Sequence, residues 1–271
     1  MTGRPLRLGG VPEHFNLPWH LAMEGGDLDG IDVEWADQPG GTGDMLTGLA
    51  DGTLDLVSIL TEGTVAAVGA GLDATVLQVY VSTPLRWGVF VPGASDHTDE
   101  SSLAGRPIAV SRLRSGSHLM AFVQAERNGW ALSADQFVIT GGLDGARNAF
   151  AAGEAEMFLW DQYMTRSLVD AGEFRQVGVH ETPWPSFVVA VRNEVLSGRT
   201  TEVGRVVDAV VARAVALHDR PGIVDELTAR YGLDTDTAEA WLATTAFGPR
   251  GPWDPAIGAD VRRTLAAAGL S

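Results

Sequence analysis

The 271 residues are 45% hydrophobic, enough to bury one large core or two smaller ones. Nineteen basic against 35 acidic side chains leave a formal charge of −16 without any Lys/Arg cluster, which argues against nucleic acid or an anionic membrane as a partner. There is no cysteine, so a disulfide framework, a thiolate nucleophile and any cysteine-ligated zinc or iron–sulfur centre are excluded.

The first strand, Leu6–Val11, begins close to Met1, with no room between them for a basic and apolar leader in the sequence as written, so none is expected. The expectation is a cytoplasmic protein as written, or an extracytoplasmic one if a leader was removed. No membrane insertion is expected either, because no apolar run approaches the ~20 residues of a spanning helix. The residues after this strand mix polar and aromatic side chains, and Pro18 suits a first helical turn. Glu13, His14, Asn16 and Trp19 are candidates to line a ligand site there. A second strand, Ile31–Trp35, leads to Gly40-Gly41-Thr42-Gly43-Asp44, a Gly-rich helix entry that places Thr42 at the same edge. It lacks the Lys-Ser/Thr of a nucleotide phosphate loop. A third strand, Leu54–Ile59, runs into Thr61-Glu62-Gly63, and a fourth covers Thr75–Val81. Thr83-Pro84 then precedes the apolar stretch Trp87–Val91.

The same order returns. A strand at residues 107–111 leads to Arg112, Ser115, Ser117 and His118 at a helix start, a grouping suited to a carboxylate, sulfonate or phosphate or, equally, to a capped helix with solvated arginines. Strands at Gln136–Thr140 and Ala155–Leu159 follow, the latter ending in Trp160-Asp161, and Thr182-Pro183-Trp184 precedes Phe187–Val191. Gly41, Ala50, Gly52, Asp55 and Leu56 are matched by Gly142, Ala151, Gly153, Glu156 and Met157, each 101 positions later (142 − 41). Two similar α/β units are implied. The Thr-Pro segments end each unit, and the strands after them, Trp87–Val91 and Phe187–Val191, are expected to carry the chain from one lobe to the other and back. Lobe one would comprise residues 1–86 and 190–271, and lobe two residues 87–189. Beyond the second crossing the pattern turns helical. Val203, Val206, Val207, Val210, Val211, Ala214 and Val215 share one face, Pro221 starts a helix that Gly232 ends, Asp234 or Asp236 caps another, and Ala256–Ala268 closes the chain.

In open parallel sheets ligands sit beyond the carboxyl ends of the strands. There Glu13, Glu62 and Asp161 could hold an amine or protonated heterocycle, and Trp19, Trp87, Trp160 and Trp184 could stack on a flat ring. Catalytic signals are thin. The six histidines lack metal-ligand spacing, and no Gly-x-Ser-x-Gly elbow is present.

Taken together, the Gly10–Trp19 loop, the Gly-rich turn before Leu46–Asp55, Thr61-Glu62-Gly63, the 103–110 entry, Ser115-Gly-Ser117 and Ala152-Gly153-Glu154 before Trp160-Asp161 resemble the type 2 periplasmic-binding-protein fold. Within it the chain is similar to solute-binding proteins of the nitrate/sulfonate/taurine and thiamine-pyrimidine-precursor (NMT1/THI5-like) branch. The resemblance implies an α/β protein of two lobes, each a mixed sheet flanked by helices, joined by two crossing strands and closing by a hinge on a small solute. The solute would be aromatic, amine-bearing or a small anion. No metal and no cofactor are implied, and an ABC permease would be the partner of an exported form. The alternative on the same fold is a cofactor-free intracellular enzyme, a chorismate dehydratase-like lyase or a step of thiamine-pyrimidine biosynthesis.

Overall fold

The computed structural model describes residues 4–248, 251–267 and 269. The chain divides into two compact units, the first holding Met1–Thr83 and Trp184–Arg262, the second Pro84–Pro183 and Arg263–Ser271. The boundaries therefore fall at 83/84 and 183/184, where 86/87 and 189/190 were expected, and a third falls at 262/263, within the stretch 190–271 expected to lie wholly in lobe one.

The first unit contains β1 (Leu6–Gly10), α1 (Leu17–Glu24), β2 (Val33–Asp37), α2 (Thr42–Asp51), β3 (Leu56–Leu60), α3 (Thr61–Gly69) and β4 (Ala74–Val81). The second contains β5 (Arg86–Pro92), β6 (Ile108–Val110), α4 (Gly116–Asn128), β7 (Phe137–Ile139), α5 (Leu143–Ala152), β8 (Met157–Asp161), α6 (Arg166–Asp170) and β9 (Phe174–Glu181). The chain then returns through β10 (Phe187–Arg192), α7 (Asn193–Gly198), α8 (Thr200–Val215), α9 (Ile223–Tyr231) and α10 (Thr235–Thr244), and ends in α11 (Pro255–Ala267). Ala268, the expected last residue of that helix, lies outside the described residues.

The two sheets share one plan. The first has the order β2-β1-β3-β10-β4, the second β7-β6-β8-β5-β9. In each, the first three strands are parallel and the fourth runs antiparallel between its neighbours. In the first sheet that fourth strand is β10, which returns from beyond the second unit, whereas in the second it is β5, which opens the unit just ahead of β6.

The structure corrects one expectation here. β5 and β10 do not bridge the units; each lies wholly within one sheet. The chain passes across at the proline-bearing segments instead. Proline has no N–H to give a ladder, so strand pairing begins only after Pro84 and after Pro183 and Pro185. On the second-unit side, the Leu85 amide donates to Thr182 Oγ1 at 3.1 Å and the Thr182 amide to the Leu85 carbonyl at 3.2 Å. On the first-unit side, the Ser186 amide donates to the Thr83 carbonyl at 3.1 Å.

Local sequence explains most elements. β10 reads Phe-Val-Val-Ala-Val because both of its faces are covered, as a central strand requires. α2 and α5 end at Gly52 and Gly153, both left-handed (φ 78° and 70°), a conformation glycine adopts without a Cβ penalty. On one face of the first sheet Met45 and Leu49 of α2 pack on Val57, Ile59, Val188 and Ala190. The counterpart core of the second unit joins Ala146, Ala149 and Phe150 of α5 to Phe90, Ala109 and Phe158. α8 packs against α1 and buries Val203, Val206, Val207, Val210, Val211 and Ala214 of the face read from its spacing, but Val215, at the helix's last position, is exposed.

Another repeat pair, Asp55 and Glu156, anchors charge at the amino ends of β3 and β8. Asp55 is fully buried and takes hydrogen bonds from Arg4 and Arg7, with Arg192 at 3.7 Å. Burial works to raise its pKa but is outweighed by those hydrogen bonds, which hold the carboxyl down at about 2. Glu156 meets His97 at 3.2 Å and Arg106 at 3.5 Å. This end of each sheet serves structure.

Candidate functional site

The opposite, carboxyl edge of the first sheet is formed by the ends of β1, β2, β3 and β4 and the start of β10. The loop leaving β1 is tightly built. Asn16 Nδ2 donates to the Val11 carbonyl at 2.7 Å, and a Cβ on Gly10 would stand 2.5 Å from that nitrogen, so only glycine fits. Asn16 is thereby committed to the loop's own fold. His14 and Trp19, expected to line a ligand, point inward. The His14 ring stacks on Phe15 at 4.6 Å and meets Trp241 edge-on at 4.6 Å, with neither ring nitrogen hydrogen-bonded. Burial pushes its pKa down to about 3. Trp19 is buried against Trp35 and Tyr80. His14 is interior because α10 brings Trp241 over it, and Trp19 because Trp35 and Tyr80 pack on it, contacts that nothing near residues 14–19 announces. Glu13 remains half-buried at the edge.

At the end of β3 two residues, Thr61 and Glu62, meet the returning chain. Thr61 Oγ1 donates to the Pro185 carbonyl at 2.6 Å, and its amide donates to the Ser186 carbonyl at 3.0 Å. Thr42, in the first turn of α2, packs its methyl against Gly63 of α3 so closely that a Cβ there would clash. Glu62 is only 3% exposed. Its Oε2 accepts from Trp184 Nε1 at 3.0 Å, while Oε1 has no partner. Burial raises this carboxyl to about 7, against a smaller lowering by its own backbone amide and by Trp184.

The second unit has its own carboxyl edge. After β6 the chain turns through Ser111–Arg114, where Arg114 adopts φ 65°. Ser115 caps α4 by accepting from the His118 amide, and Ser117 Oγ accepts from the Ser111 amide at 3.0 Å. His118 Nδ1 accepts from the Arg114 amide at 3.0 Å, and its ring packs on Phe122 and Phe137. Burial lowers its pKa. Ser115, Ser117 and His118 therefore shape the loop that carries Arg112 and Arg114.

β8 ends in Trp160 and Asp161. Trp160 stacks on Phe158 at 5.1 Å and lies edge-on to Trp87 at 6.4 Å. Trp87 sits opposite Asp161 on one side and His180 on the other, and its indole N–H has no acceptor. Asp161 Oδ1 accepts from the amides of Tyr163 and Met164 at 2.8 and 2.9 Å, whereas Oδ2 is buried without a partner. Its carboxyl is raised to about 6 by burial, against those two backbone bonds.

Sequence reasoning passed over His180, which joins Glu100 at 2.6 Å and Arg127 at 3.0 Å and ties α4 to β9. It also missed the pairing of Trp184 with Glu62, although both were candidates. Among the described residues no three metal-ligating side chains converge, and no helix is long and apolar enough to cross a membrane.

The family model described as Ca3427-like PBP, a periplasmic-binding-protein family, matches residues 87–180. Among solved structures, the Candida albicans CA3427 gene product, reported to define a new family with the generic periplasmic binding protein fold, is 27% identical. It superposes with a TM-score of 0.92 over 99% of this chain and 91% of its own. The alkanesulfonate-binding protein SsuA of Xanthomonas axonopodis pv. citri, bound to MOPS, is 20% identical over 99% and 95% of the two chains, with a TM-score of 0.79. The ligand-binding component of an ABC-type import system from Staphylococcus aureus, with zinc bound, is 13% identical over 99% and 93%, with a TM-score of 0.77. At those identities the last two show the fold alone. No curated protein matches the sequence.

Proposed function

From the chain's place in the type 2 periplasmic-binding-protein-like family, we propose that it captures a small solute between the carboxyl edges of its two sheets by hinge closure. One observation carries the reading. Both units, built on one strand order, end at that edge in a buried carboxyl accompanied by tryptophan: Glu62 with Trp184, and Asp161 with Trp87 and Trp160. The crossing segments at Thr83-Pro84 and Pro183-Trp184 are two short pieces of chain hydrogen-bonded to each other, Leu85 with Thr182 in the second unit and Ser186 with Thr83 in the first, a form suited to a hinge. The solute is a small metabolite, aromatic, amine-bearing or a small anion, and an ABC permease receives it if the protein is exported. Native mass spectrometry of the purified protein, with small-angle scattering before and after solute addition, tests this. The expected result is a retained small molecule returned unmodified and a smaller radius of gyration with solute. An unchanged radius across a screen of aromatic acids, sulfonates, amines and pyrimidines would falsify closure.

A second reading has one observation in its favour. A buried carboxyl near 7, as at Glu62, can hold or release a proton at neutral pH, the property of a general acid or base. Turnover of a screened compound, abolished by Glu62→Gln, would establish an enzyme in place of a binding protein.

A further inference from the structure

Resting on the solute-binding reading, we propose that the solute presents N–H donors, as an amine, amidine or aminated heterocycle, and that Glu62 Oε1 and Asp161 Oδ2 are the acceptors that receive them.

Each carboxyl is incompletely used in the same way. Glu62 spends one oxygen on the Trp184 indole, and Asp161 spends one on two backbone amides. In both cases the second oxygen is buried with no donor. Leaving such a group unpaired costs on the order of 1–3 kcal/mol, which is why buried acceptors are ordinarily satisfied. Other buried acceptors, Asn16 Oδ1 and Gln124 Oε1 among them, also lack a donor, but among the described residues the two such carboxyls both stand at the carboxyl edge of the third parallel strand.

The two carboxyls are not repeat copies of one another. At the repeat's offset of 101, Asp161 corresponds to Leu60 and Glu62 to Tyr163. One acid is the last residue of β8 and the other stands in the first turn of α3. The same unfilled acceptor is thus built from different positions in the two units, so it is not a by-product of duplication.

The charge surroundings select the donor class. Among the described residues neither carboxyl has an ion-pair partner. The groups that act on their titration are burial, backbone amides and the Trp184 indole, with no charged side chain among them. A sulfonate or carboxylate placed against either acid would set anion against anion in a buried setting. An ammonium or amidinium would satisfy the free oxygen and supply the missing counter-charge. Trp87, Trp160 and Trp184 add flat faces beside the same two acids, which suits a delocalised cation or an aminated ring.

The test uses paired probes of like shape and opposite character on the full chain. Benzamidine is set against benzenesulfonate, and aminopyrimidine against pyrimidine carboxylate, by thermal shift and calorimetry. The expected result is binding of the N–H-bearing member of at least one pair, weakened at least about tenfold by Glu62→Gln or by Asp161→Asn, which remove the charge at nearly constant shape. Benzamidine remains cationic throughout, so its affinity for the unmodified protein should fall as acidification protonates Glu62 and then Asp161. That measurement needs no variant to fold. Binding of the anionic members alone, a rise in affinity on acidification, or unchanged affinity in both variants overturns the inference while leaving solute binding intact. No binding by either series, with no molecule retained in native mass spectrometry, overturns both.

Discussion

His14 has neither ring nitrogen hydrogen-bonded and sits between Phe15 and Trp241, so the folded protein holds it neutral far below the pH at which the unfolded chain protonates it. The sign of the effect follows. Its folded pKa, about 3, lies below the ordinary 6.5, so the unfolded state binds the extra proton and stability is lost as pH falls from 6.5 toward 3. The loss is about 1.4 kcal/mol per pH unit in that window. His14→Phe keeps a flat ring among aromatic neighbours and removes the titration. Urea unfolding at a series of pH values should show the variant losing less stability than the parent below about pH 6.5, and parallel curves would rule the account out. The same residue shows what single positions conceal. Glu13, His14, Asn16 and Trp19 read as one polar and aromatic cluster, yet only Glu13 stays half-buried at the edge, because Tyr80 and Trp241 arrive from distant parts of the chain to cover the others.

At the scale of elements, the loop into α4 is the strained connection. Arg114 at φ 65° is the non-glycine residue with positive φ among the described residues, and its amide is fixed by His118 Nδ1. Arg114→Gly should leave stability unchanged or slightly raised. Arg114→Val, whose branched Cβ suits that region least, should cost about 1–3 kcal/mol by urea unfolding. A valine variant as stable as the glycine one would show that the loop is free to relax. Strand boundaries were legible where apolar runs meet a glycine turn, as at β3, or a proline-bearing segment, as at β10, and illegible at β9. That strand reads Phe-Arg-Gln-Val-Gly-Val-His-Glu, a polar mixture of the kind an edge strand carries, and local composition hides it. The repeat does expose it, since Ala74–Val81 shifted by one hundred falls on Phe174–Glu181.

At the scale of the molecule, the two units differ in how the chain builds them. All five strands of the second sheet lie between Pro84 and Pro183, whereas the first sheet needs β10 from beyond the second crossing. Residues 84–183 expressed alone should therefore fold, with a cooperative thermal transition by circular dichroism. A non-cooperative melt would show that the unit depends on the rest of the chain. The sequence by itself determined the duplicated βα rhythm, the two-unit plan and the class of fold, because apolar period and turn residues act over a few positions and a repeat restates them. Only the tertiary structure decided that β5 and β10 stay within single sheets, that His14 and Trp19 turn inward, and that Trp184 meets Glu62 across 122 residues of chain. Those outcomes depend on which distant segment covers a side chain, and neither spacing nor composition encodes that neighbour.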